Sequence, residues 1–103
     1  MAPEIERNLN KIMDTCQRFH VKSLYLFGSA LNKNFTSDSD IDFIVEYDRD
    51  DKGMPPEEFD YFDMLFALEE ITGRKVDLVV AHGIRNKYFK QAVEREKKLL
   101  YAA

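Results

Sequence analysis

The chain reads as an α/β (α+β) domain, a sheet of three or more strands flanked by helices. Helical and strand periodicities alternate along its 103 residues. Its composition, 45% apolar and 33% charged, is that of a folded globular protein. The length suits a single domain, 1–103, with no room for a second. Residues 4–19 carry Ile5, Leu9, Ile12, Met13, Cys16 and Phe19 at steps of three and four, one apolar stripe of an amphipathic helix. Val21–Phe27 is a nearly continuous apolar run that ends at Gly28, as a buried strand does. Residues 40–47 alternate at their start and are rich in β-formers, which predicts a second strand.

A loop over 48–56 follows, with a charge run and paired prolines. Pro56, Glu57 and Glu58 suit a first helical turn, through fixed φ and the macrodipole. Phe59, Phe62, Leu65, Phe66, Leu68 and Ile71 then mark an inward face, and Gly73 is a natural stop. Residues 76–81 form a third strand. Residues 84–101 read as a closing amphipathic helix with Tyr88, Phe89, Ala92, Val93, Leu99 and Leu100 on its buried side.

Composition also excludes several classes. No apolar run approaches the ~20 residues of a membrane span, and the N-terminus has no apolar core of a secretory signal. The single cysteine, Cys16, allows no internal disulfide, and no Cys/His cluster offers a zinc site. A cytoplasmic protein is the expectation. The net charge of −4 is unevenly spread: residues 36–63 hold eleven acidic groups against two basic, whereas 84–103 hold six basic against two acidic. The acidic stretch suggests cation binding. The basic one, without aromatics on its polar side, reads at least as well as a solvated helix face as a nucleic-acid patch.

Chemistry concentrates in Gly28-Ser29, ten intervening residues, then Asp40-Ile41-Asp42. In a strand, positions two apart share a face, so Asp40 and Asp42 project side by side while Ile41 and Phe43 face the other way. Two carboxylates this close repel unless a cation sits between them. Oxygen-only ligands suit Mg²⁺ or Mn²⁺. Asp77 interrupts the apolar run Val76-Asp77-Leu78-Val79-Val80 and needs a partner of the same kind. Three carboxylates from two strands make the ligand set of a two-metal phosphoryl-transfer site. Gly28 permits close backbone approach, Ser29 adds a hydroxyl, and a short helix from about residue 30 would turn free N–H groups toward an anion. Asp38, Asp40 and Asp42 also alternate like the start of a calcium loop, but Phe43 and Arg49 stand where that loop needs Gly and Glu.

Gly-Ser, ten residues, Asp-x-Asp within Ser39-Asp40-Ile41-Asp42, and the later Val76-Asp77-Leu78-Val79 together resemble the nucleotidyltransferase superfamily of DNA polymerase beta. At this length the chain is similar to the minimal nucleotidyltransferase (MNT) group, many of which are encoded beside HEPN-domain toxins. The resemblance implies a palm-like fold with a small mixed sheet. It implies that Gly28 and Ser29 hold the β- and γ-phosphates of a nucleoside triphosphate, and that Asp40 and Asp42 hold two Mg²⁺ ions (Mn²⁺ as a substitute). Asp77 would complete the catalytic ion's shell and help deprotonate the attacking hydroxyl. Ser39 would steady the loop entering the acidic strand. Many members read G-S-x-A-R-G where this chain has Gly28-Ser29-Ala30-Leu31-Asn32-Lys33, so Lys33 is the positive charge expected near the phosphates.

The expected activity is transfer of a nucleoside monophosphate, AMP from ATP, onto a hydroxyl. At this length no extra domain is expected to grip an acceptor, so a partner protein is expected to bring its own surface: a HEPN-type toxin modified on tyrosine, with this chain as antitoxin. Two alternatives stay open, an antitoxin that acts by binding alone and a small nucleotide- or RNA-modifying transferase. Nucleic acid is not the favoured partner, and the sequence leaves self-association open.

Overall fold

The computed structural model describes residues 1–31, 35–36, 38–47 and 58–103, with 58–60 described in backbone only. Its elements run α1 (Pro3–Arg7), α2 (Leu9–Arg18), β1 (Val21–Phe27), a 3₁₀ turn (Gly28–Leu31), β2 (Ile41–Tyr47), α3 (Glu58–Thr72), β3 (Val76–Val80), a second 3₁₀ turn (Ala81–Gly83), α4 (Lys87–Glu96) and β4 (Lys98–Ala102). The four strands form one mixed sheet in the order β3-β2-β1-β4. β1 pairs antiparallel with β2 and β4, and β2 pairs parallel with β3. A parallel pair needs a crossover, which α3 supplies. None of the described helices is long and apolar enough to cross a membrane.

The expected α+β fold and the three expected strands are present. The first helix is two helices, broken at Asn8, whose φ of −113° and ψ of 15° leave helical geometry. Its side-chain amide donates to the Glu4 carbonyl at 2.8 Å, the local bonding by which Asn competes with a helix backbone. α2 ends at Arg18 with Phe19 as its cap, and His20 after it sits in the left-handed region at φ 58°.

The core lies on one face of the sheet. Leu24, Leu26, Ile41, Phe43, Val45 and Leu78 meet Ile5, Ile12 and Cys16 from the N-terminal helices and Met64 and Leu68 from α3, all essentially buried. Cys16 is part of that core as expected, and burial pushes its thiol up to about 12. On α3 the inward face is rotated from the expected one. Met64 and Leu68 are fully buried, with Tyr61, Leu65 and Ile71 partly so, whereas Phe62 and Phe66 are 50% and 60% exposed. Phe59 lies outside the residues whose side chains are described. Apolar residues are spread around the helix between acidic ones, so its sequence carries no single apolar stripe that marks the inward face.

The expected closing helix requires a larger correction. α4 ends at Glu96, Lys97 turns to extended backbone (φ −63°, ψ 145°), and the next five residues become β4. β1 would otherwise present an open edge, and β4 satisfies it, pairing Leu24 with Tyr101 and Tyr25 with Leu99. Leu99 is therefore half-exposed and Leu100 only partly buried, while Tyr88 is exposed and Phe89 remains 39% accessible. α4 covers part of the second sheet face: Phe89 sets its ring against Phe27 at 5.7 Å and 84°. Val93 is the buried residue of that helix.

Candidate active site

The second sheet face carries the acidic groups. Asp42 and Asp77 are direct partners in the parallel β2/β3 ladder, so their side chains leave the sheet on the same side. Asp40 stands just before β2 and acts on Asp42 electrostatically. The Asp42 carboxyl is held above its ordinary value, first by burial, then by the charges of Asp77 and Asp40. The three aspartates are thus brought to one region. Asp42 is half-buried and the other two are exposed. The two ion pairs among the described residues, Arg74–Glu4 and Lys97–Glu94, leave all three aspartates without a basic partner. Among the same residues, no group of three or more His, Cys, Asp or Glu side chains is drawn together closely enough to hold a metal ion.

Gly28 faces Asp42 at the end of the β1/β2 ladder, in the middle of the sheet. It follows Phe27, the ladder partner of Asp42, and lies at φ +78°. A Cβ built there would fall 2.5 Å from Asp42 Oδ2, so both the backbone angle and the approach of the carboxylate require glycine. The short helix expected from about residue 30 is a single 3₁₀ turn over Gly28–Leu31, with Ser29 half-buried upon it. Ala30 anchors this turn: it is fully buried, and its carbonyl accepts from the Ala2 N–H at 2.9 Å. Lys33, with Asn32 before it, lies outside the described residues.

The approach to Asp40 is a self-bonded turn. The Ser39 hydroxyl accepts from the Thr36 N–H at 3.0 Å, and the Ser39 N–H donates to the Thr36 carbonyl at 3.1 Å. Ser39 is therefore engaged with the loop itself. Arg74, which sequence reasoning did not single out, reaches the same turn. One guanidinium nitrogen donates to Glu4 Oε2 at 2.6 Å, the other to the carbonyls of Thr36 and of Ser39, the latter at 2.5 Å. The Phe35 ring lies beneath the guanidinium at 4.2 Å. An Arg directly after a helix-stopping Gly and just before an acidic strand was the available signal. Tyr61 also borders the site: its hydroxyl donates to the Leu78 carbonyl at 2.5 Å, and burial and the Asp77 charge raise its phenol.

A carboxylate-bearing sheet face beside a glycine-serine turn is the layout of an enzyme that handles phosphate esters. The chain matches the nucleotidyltransferase domain family over residues 7–100 and belongs to it, which makes it an enzyme of the nucleotidyl-transferring class. It is similar to a protein of Methanocaldococcus jannaschii provisionally named a protein adenylyltransferase, 38% identical over 90% of this chain and 88% of the relative. Among solved structures it resembles a minimal nucleotidyltransferase, also provisionally named, with TM-score 0.76 and 25% identity over 95% of both chains. It shares its fold with the complex of a tri-AMPylated Shewanella oneidensis HEPN toxin and an MNT antitoxin. There the TM-score is 0.67 and identity 23%, covering 95% of this chain and 72% of the matched one.

Proposed function

We propose that this chain, acting as one unit over residues 1–103 in the cytoplasm, transfers AMP from ATP to a hydroxyl on a HEPN-type partner protein and so serves as its antitoxin. The observation that carries the reading is the ladder pairing of Asp42 with Asp77, beside Asp40 and hard against Gly28. The donor chemistry suits divalent cations: three carboxylates without a basic partner among the described residues, with the Asp42 carboxyl raised by burial and by the charges of Asp77 and Asp40. As placed, the three would have to draw closer to complete a metal site. Asp40 and Asp42 would hold two Mg²⁺ ions, or Mn²⁺ in their place, with Asp77 completing one shell. When bound, such ions neutralise charge that develops on the α-phosphate and on the leaving pyrophosphate.

The protein's own groups do the rest. Gly28, without a side chain, lets the β- and γ-phosphates approach the turn, and the Ser29 hydroxyl donates to them, with Lys33 adding positive charge. Ser39 contributes to nucleotide binding by keeping the entry loop closed. Asp77 takes the proton of the acceptor hydroxyl as its oxygen attacks the α-phosphorus in line. The new O–P bond forms while the bond to the bridging oxygen breaks, and pyrophosphate departs with the electron pair. A hydroxyl on the partner protein is the proposed acceptor, in keeping with the tri-AMPylated toxin of the related complex, and tyrosine is the proposed residue.

The test is incubation with ATP, Mg²⁺ and the product of the neighbouring gene, the proposed HEPN-type partner, followed by intact mass. The expected result is a gain of one or more AMP units with wild type and none with Asp42→Asn. Equal neutralisation of the toxin by both, without a mass shift, would replace transfer by simple binding, a reading to which the loosely gathered carboxylates lend some weight. Label appearing in RNA instead of protein would reassign the acceptor.

A further inference from the structure

We infer that Arg74 is a positioning residue for the acidic pair, setting Asp40 relative to Asp77 from the connection between α3 and β3; this rests on the metal-binding reading of the aspartates given above. Arg74 lies between Gly73, where α3 has stopped, and Val76, where β3 begins. Its backbone N–H donates to the Thr72 hydroxyl at 3.3 Å, so its own main chain is held. Its side chain is 84% buried, an unusual place for a guanidinium. One nitrogen goes to Glu4 on α1, while the other nitrogen and the guanidinium face meet Thr36, Ser39 and Phe35 at the entry to β2.

The contacts act on Asp40 from both sides. A peptide group is planar, so fixing the Ser39 carbonyl fixes the Asp40 nitrogen that shares its plane. Arg74 holds that carbonyl at 2.5 Å, along with the Thr36 carbonyl at the other end of the turn. On the far side of Asp40, the Ile41 N–H donates to the Lys75 carbonyl at 2.9 Å. Both peptides of Asp40 are thus tied to consecutive residues, 74 and 75, and Asp77 follows two residues later. The α3–β3 connection therefore gauges the distance between the first and the last of the three carboxylates.

The charge of Arg74 is arranged for this task and not for neutralising the site. Glu4 takes up the guanidinium at 2.6 Å, and Phe35 supports its face, so the planar fork is locked in one orientation. A cation so committed orients Asp40 without competing for its oxygens. Groups that orient metal ligands from behind are typically worth about ten- to a hundredfold in metal affinity.

The experiment measures Mn²⁺ binding by electron paramagnetic resonance, with a non-hydrolysable ATP analogue present, for wild type, Arg74→Gln, Arg74→Lys and Asp42→Asn. Each is held well below its own melting temperature. Arg74→Gln should bind Mn²⁺ about tenfold more weakly or worse. Arg74→Lys keeps the charge and stem but cannot bridge Glu4 and two carbonyls at once, so it should fold and still bind several-fold more weakly. This variant decides the matter if Arg74→Gln fails to fold. Wild-type affinity in folded Arg74→Lys, whatever its loss of thermal stability, would make Arg74 merely structural and overturn the inference. Weakened binding by Asp42→Asn alongside it would show that the metal site itself stands. Undiminished binding by Asp42→Asn would instead overturn the site reading and this inference with it.

Discussion

Gly28→Ala tests the site most directly, because the structure assigns two separate costs to a single methyl group. The first is conformational: at φ +78° an L-residue with a Cβ pays about 1–2 kcal/mol relative to its ordinary regions. The second is steric. The new Cβ would meet Asp42 Oδ2 at 2.5 Å, so the carboxylate must retreat by roughly half an ångström or more before the contact is tolerable. In a domain of this size each kcal/mol lowers the melting temperature by roughly 4–8 °C, so a drop of about 5–15 °C is expected. Displacement of Asp42 should also slow transfer roughly tenfold or more in protein that is fully folded, since ångström-scale errors at a reacting centre cost up to about a hundredfold. Calorimetry and the intact-mass rate assay, run on Gly28→Ala in wild-type and Asp42→Ala backgrounds, separate the two costs. Without the carboxylate only the backbone cost should remain, so the double-mutant cycle should show coupling. Additive melting shifts in the cycle, or a wild-type transfer rate in Gly28→Ala, would refute the argued contact.

Asp77→Asn should leave the fold intact and cut transfer by about a hundredfold or more, the usual worth of a general base, as read from single-turnover rates. Because the Asp42 carboxyl is raised in the folded state, its proton adds stability at low pH, and that stability is lost as pH climbs through the raised value. Asp42→Asn should therefore melt higher than wild type at neutral pH in chelator, with the gain shrinking toward the ordinary carboxylate range; an equal gain at all pH values would contradict this. Leu68→Ala should cost about 2–5 kcal/mol in denaturant titration, while Phe66→Ser on the exposed side of α3 should change stability by less than about 0.5 kcal/mol.

The strands were legible wherever side-chain chemistry alone decides them. Val21–Phe27 is β1 as read, and the run from Val76 is β3, because β-rich apolar segments bounded by Gly and charge have few other uses. The placement of Asp42 and Asp77 on adjacent strands was legible for the converse reason: each charge interrupts an apolar strand run. What escaped depended on tertiary partners. Residues 94–98 are all good helix formers, and only the open edge of β1 explains why helix gives way to β4 at Lys98. The α3 surface was misjudged because Phe62 and Phe66 outrank Met64 in hydrophobic size, yet the crossover geometry turns Met64 inward. Arg74 escaped because its partners lie about 35 and 70 residues away in sequence, a separation no local pattern encodes.

Among the described residues no basic side chain pairs with the three aspartates, and the two cations held in ion pairs are committed elsewhere. Arg74 comes within one peptide of Asp40, yet bonds to Glu4 and to carbonyls. Lys97 pairs with Glu94 and lies over the Tyr25 ring. Burial raises Asp42 first, and the repulsion of Asp77 and Asp40 adds to it. A fixed ammonium or guanidinium on that face would offset both and stabilise the fold while competing with a divalent ion for the same oxygens. Leaving the repulsion in place couples stability to binding, since a ligand that favours only the native state adds its binding free energy to folding. Mg²⁺ with a nucleotide should accordingly raise the melting temperature of wild type and leave that of Asp42→Asn nearly unchanged. At saturating ligand the order of the two proteins seen in chelator should then reverse. Persistence of the chelator order would mean that the repulsion serves no cation, and that the acidic face is an ordinary solvated surface.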